Sequence, residues 1–116
     1  MRLKLMTWNV ENFFPVGVGA GPKTQADYDV KLAKLVGVIA AEDADVVALQ
    51  EVGDLHHAVP RSLIDLGRKL GGKYTVEVSK HPDPRGIRVG LLMRQTLNAT
   101  LEQEIIKLPS EPPLVM

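Results

Sequence analysis

Apolar and polar positions alternate loosely over residues 2 to 10 (RLKLMTWNV). Leu3, Leu5, Thr7 and Asn9 fall on one face of a predicted strand, and Met6, Trp8 and Val10 on the other. Apolar groups on both faces towards its far end predict cover on both sides there. The stretch PVGVGAGPK (15–23) reads as a loop. From Thr24 the period becomes helical: Tyr28, Leu32, Leu35, Val36 and Ile39 fall at i, i+4, i+7, i+8 and i+11 and form one stripe. Thr24 followed by Asp27 resembles a capping box, with Asp in place of Glu or Gln.

Asp43 to Asp45 end that helix, and Val46 to Leu49 are uninterrupted apolar residues, the pattern of a short strand buried on both faces. A second helix is predicted over Arg61–Leu70, where Leu63, Leu66 and Leu70 share a face and Gly71-Gly72 supply the stop. Three strand-like segments follow, KYTVEVS (73–79), IRVGLLMR (87–94) and LNATLEQEIIKL (97–108), expected as an antiparallel meander. The first two are separated by KHPDPRG (80–86), which its prolines and glycine mark as a loop. The expected class is α/β (α+β), a mixed sheet with helices on one face.

The first strand, helix and second strand form a crossover of adequate length, so these two strands should be parallel. Parallel strands share one edge for their carboxyl ends, and sites in open α/β sheets collect there. Asn9 and Glu51 each end an apolar run at that edge. The topology therefore brings an amide and a carboxylate together.

Composition narrows the partners. In 116 residues, 45% apolar and 24% charged, there is room for one ordinary globular domain. With 14 basic and 14 acidic residues the net charge is zero, so no whole-chain field steers the protein towards nucleic acid or an anionic membrane. No Cys is present, which excludes disulfides, thiolate metal sites and a Cys nucleophile and fits a reducing compartment. No apolar run approaches a membrane span, and no signal peptide is visible; the expectation is a cytoplasmic protein without a membrane partner.

Glu51 offers a hard anionic oxygen, and Asn9 an amide oxygen with two N–H donors. Mg²⁺ prefers oxygen ligands and is commonly held by one or two carboxylates together with substrate phosphate oxygens. A solvated strand cap would use the same residue types, so spacing alone leaves both readings open.

The residue strings add to this. TWNVENF, then DVVALQEV after a helix, and later DPRGIRVGLLMR resemble, in order and spacing, the endonuclease/exonuclease/phosphatase superfamily with its deoxyribonuclease-I-like fold. In that family a Trp-Asn pair ends the first strand and a Gln-Glu pair the next. The resemblance implies a four-layer α/β-β/α sandwich, of which this chain would be the amino-terminal half, a single partial domain over 1–116 truncated at its carboxyl end. It implies hydrolysis of a phosphate ester by metal-activated water. Glu51 would ligate Mg²⁺ or Mn²⁺, Asn9 would lie beside metal and phosphate, and Gln50 would support its neighbour. The substrate would be a phosphate ester, nucleic acid included.

Arg85 is a candidate for facing an anionic substrate, although a solvated loop charge is the plainer account. Arg88 stands where related sequences often carry Asp. Family members complete the site with an Asp-x-Asn pair and an Asp-His pair, and neither occurs here; His56, His57 and His81 read as loop residues. The chain alone is thus expected to be inactive or nearly so. The alternative is a non-catalytic half-domain, an interaction or regulatory module that self-associates through an uncovered sheet.

Overall fold

The computed structural model describes residues 3–54, 57, 59–79 and 87–97. They form β1 (Leu5–Phe13), α1 (Gln25–Glu42), β2 (Val46–Gly53), α2 (Arg61–Lys69), β3 (Tyr74–Val78), β4 (Ile87–Arg94) and a 3₁₀ turn at Gln95–Leu97. The strands make one mixed sheet in the order β1-β2-β4-β3. β1 and β2 are parallel, as the crossover requires, and β4 pairs antiparallel with both β2 and β3. The meander is confirmed for β3 and β4; beyond Leu97 the third predicted strand lies outside the described residues.

α1 forms where its stripe predicts, and Tyr28, Leu32, Leu35 and Ile39 are its buried residues. Thr24 caps it: the hydroxyl oxygen accepts from the Asp27 N–H at 3.1 Å and satisfies one of the orphan donors of the first turn. The far end closes at Asp43, left-handed at φ 49°, whose N–H donates to the Ile39 carbonyl. Arg94 then ties this turn to β4, donating to Asp45 Oδ1 at 3.1 Å and Asp43 Oδ1 at 2.9 Å over the Tyr74 ring.

Both helices pack on one sheet face. Val10 and Phe13 of β1, Val47, Leu49 and Val52 of β2 and Leu92 of β4 join Leu35, Ile39, Leu63 and Leu66 in a single core. Burying each such side chain stabilises the fold by about 1.5–3 kcal/mol. α2 comes close enough to β4 that a Cβ at Gly90 would lie 3.0 Å from Leu63 Cδ2 and 3.2 Å from Val52 Cγ2. Ser62 Oγ of α2 donates to the Phe13 carbonyl at 3.0 Å, anchoring the helix start to the end of β1.

Three expectations are corrected. β1 does not stop near Asn9 but runs on to Phe13, whose buried ring stacks on Tyr28 at 5.9 Å. β2 extends past Leu49 to Gly53. Its burial is one-sided: Val47 and Leu49 are covered by the helices, while Val46 and Ala48 are half-buried on the opposite face. That opposite face also carries Leu5, 56% exposed, and Val89, 44% exposed. Uninterrupted apolar residues in a strand do not by themselves report two covering layers.

Candidate functional site

The rim where β1 and β2 end is built from two interruptions in their pairing. Asn9 is the register partner of Gln50, and pairing resumes only at Phe13 with Val52. Three residues of β1 therefore stand against one of β2, Glu51. On the other side, Leu49 pairs with Gly90 and Val52 with Arg88, so Glu51 is also the extra residue of a bulge against β4. Regular alternation after Val47 and Leu49 would drive the Glu51 carboxylate beneath the helices. The bulge gives that place to Val52, which is fully buried, and takes Glu51 out of the alternation.

Both interruptions rest on left-handed backbone without glycine. Glu51 has φ 63°, and Glu11 and Asn12 have φ 51° and 56°. Each such residue costs about 1–2 kcal/mol against the right-handed conformation. Strain kept at adjacent points of neighbouring strands is the kind found where a side chain must be aimed.

Local bonds hold the rim in shape. Asn9 Oδ1 accepts from the Glu11 N–H at 2.9 Å, and Lys31 Nζ, reaching across from α1, donates to the Glu11 carbonyl. Gln50 Nε2 donates to Thr7 Oγ1 at 2.7 Å, so Gln50 braces the two strands beside Glu51. The half-buried Glu51 carboxylate has no hydrogen bond and no ion pair among the described residues, and the Asn9 NH₂ likewise has no partner there. A groove of about 300 Å³ runs between β1 and α1, lined by Trp8, Asn9, Glu11, Asp27, Lys31 and Lys34 among others.

This donor set suits a hard divalent cation of the Mg²⁺ type. One uncommitted carboxylate and a neighbouring amide can hold such an ion while water and substrate phosphate fill its other positions. No group of three or more His, Asp or Glu side chains gathers among the described residues, so a metal held mainly by protein ligands does not fit them. Asn9 and Glu51 are thus brought to one rim. Arg85, His56 and His81 lie outside the described residues. Arg88 donates from Nη1 to the Ser79 carbonyl at 2.6 Å, a bond that ties β4 to the end of β3.

Sequence reasoning overlooked Lys31 and Asp54. Lys31 is half-buried, and loss of hydration pushes its ammonium pKa below the usual lysine value, with Lys34 adding to the fall and the carboxylates of Glu11 and Glu51 opposing it. The available signal was its place on the helix, one turn from Tyr28 and from Leu35 at the border of the apolar stripe. Asp54, its side chain fully buried just beyond β2, accepts from the Arg61 N–H at 3.2 Å and from Arg61 Nε at 2.8 Å, with His57 Nδ1 3.4 Å away. It anchors the start of α2, and nothing in the periodicity marked it.

Fold and rim together define an open-sheet α/β protein with oxygen donors at the carboxyl ends of its parallel strands. The model of the endonuclease/exonuclease/phosphatase family matches residues 6–114, and the chain belongs to that family. Its enzymes are phosphoesterases and nucleases, acting on phosphate-ester or nucleic acid substrates and generally dependent on a divalent metal. A comparison with curated proteins gives no match. No helix among the described residues is long and apolar enough to cross a membrane.

Proposed function

We propose that this chain carries the metal- and phosphate-binding half of a divalent-metal-dependent phosphoesterase. The observation that carries it is Glu51: a half-buried carboxylate on a left-handed bulge, with no bonded partner among the described residues, one position beyond the register partner of Asn9. Glu51 would ligate Mg²⁺ or Mn²⁺. When bound, such an ion polarises a phosphoryl oxygen and offsets the charge that grows in the transition state. Asn9, its oxygen partly engaged by the Glu11 N–H, directs its NH₂ donors to a phosphate oxygen, and Gln50 keeps the two strand ends in step. The Asp-x-Asn and Asp-His pairs that complete family sites are absent from the sequence. Hydrolysis then needs a complementary segment that supplies them. Arg85 is retained as a proposed contact to the anionic substrate.

The test separates binding from turnover. Mn²⁺ titrated into the chain and followed by electron paramagnetic resonance should show one site in the wild type and none in Glu51→Ala. Retained Mn²⁺ binding in the variant would defeat the assignment. A second reading, self-association of the chain as an interaction module, is favoured by the sheet face that neither described helix covers, with its exposed Leu5 and Val89. Sedimentation equilibrium decides it: a monomer at every concentration rules it out.

A further inference from the structure

The three-residue interruption in β1 could close in many ways, and the structure closes it with a cation from another element. Lys31 Nζ spends one N–H on the Glu11 carbonyl, the central residue of the turn that begins at Asn9. An ammonium has three donors, so two remain. They border the same groove that Asn9 lines, in electrostatic reach of Glu51. Lys34 also lines the groove, and Glu11 and Asp27 keep its overall charge balanced. A general sink for anions is therefore a poor description; what the groove offers is one cation fixed beside one amide.

We propose that Lys31 is the positioning residue of the rim: it fastens the left-handed turn behind Asn9 and offers its remaining N–H groups to the phosphate that Asn9 meets. This rests on the phosphoesterase reading of the rim. The two duties have opposite electrostatic consequences. A cation near Glu51 strengthens attraction for a phosphate and weakens it for a divalent metal. A lysine serving only to brace the turn would affect both ligands in the same direction.

The experiment uses the whole chain, its Lys31→Met and Lys31→Arg variants, and two probes: Mn²⁺ followed by electron paramagnetic resonance, and inorganic phosphate followed by amide chemical shifts in the presence of Mg²⁺. Lys31→Met should weaken phosphate by about 10-fold or more, the loss of one charge-assisted hydrogen bond, and tighten Mn²⁺ by about 2- to 5-fold. Lys31→Arg should restore phosphate to within about 3-fold of wild type, since the guanidinium keeps charge and donors. Unchanged phosphate binding in Lys31→Met overturns the proposal, as does a parallel loss of both ligands or an arginine variant no better than methionine. Wild-type chain that binds no Mn²⁺ would overturn the phosphoesterase reading itself, whereas lysine-insensitive phosphate binding beside normal Mn²⁺ binding removes only the role of Lys31.

Discussion

Replacing Glu51 by Gly should make the protein more stable while abolishing metal binding. At φ 63° the residue pays about 1–2 kcal/mol for its left-handed backbone, a cost glycine does not bear. Glycine in turn loses more freedom on folding, about 0.5–1 kcal/mol. The carboxylate has no bonded partner among the described residues, so its removal takes little from the fold. The net gain is about 0–1.5 kcal/mol, centred on ~0.75 kcal/mol, which is roughly 0.5 M in urea midpoint at an m-value near 1.5 kcal/mol/M. Trp8, the single tryptophan, packs against the core from β1 and reports unfolding by its fluorescence. Glu51→Ala is the necessary control: alanine keeps the steric cost, so its midpoint should stay at or slightly below wild type while Mn²⁺ binding is lost equally. A fall in midpoint for Glu51→Gly would refute the reasoning, because the side chain would then be holding the fold and not merely tolerated by it.

Two further perturbations probe what positions the rim. Gly90→Ala should cost about 1–3 kcal/mol in urea unfolding, because the added Cβ meets the Leu63 and Val52 side chains together and both must give by a few tenths of an ångström to admit it; an unchanged midpoint would mean that these side chains yield freely. Asp43 is held below its ordinary pKa of 3.8, chiefly by its hydrogen bond from Arg94 and then by that guanidinium's charge. A depressed carboxylate contributes stability that is fully present above its unfolded value and lost as pH falls through the folded one. Asp43→Asn should therefore flatten the stability curve below about pH 4, and identical acid limbs for variant and wild type would show that the pair contributes nothing to it.

The helical period of Tyr28, Leu32, Leu35 and Ile39, the cap at Thr24 and the Gly71-Gly72 stop needed no tertiary information, because each is a local preference that packing reinforced. The parallel pairing of β1 and β2 followed from the length of the crossover, and with it the meeting of Asn9 and Glu51 at one edge. Tertiary structure decided the rest. Whether Glu51 ends a strand or bulges out of one depends on which residue the helices will accept beneath them, and that choice fell to Val52. Lys31 and Glu11 are twenty positions apart and meet only because α1 lies across the end of β1. The one-sided burial of β2 was likewise hidden, since a residue string records how apolar a strand is and not how many layers cover it. Sequence specifies what each segment prefers; the identity of its neighbours is set only when long-range packing brings the segments together.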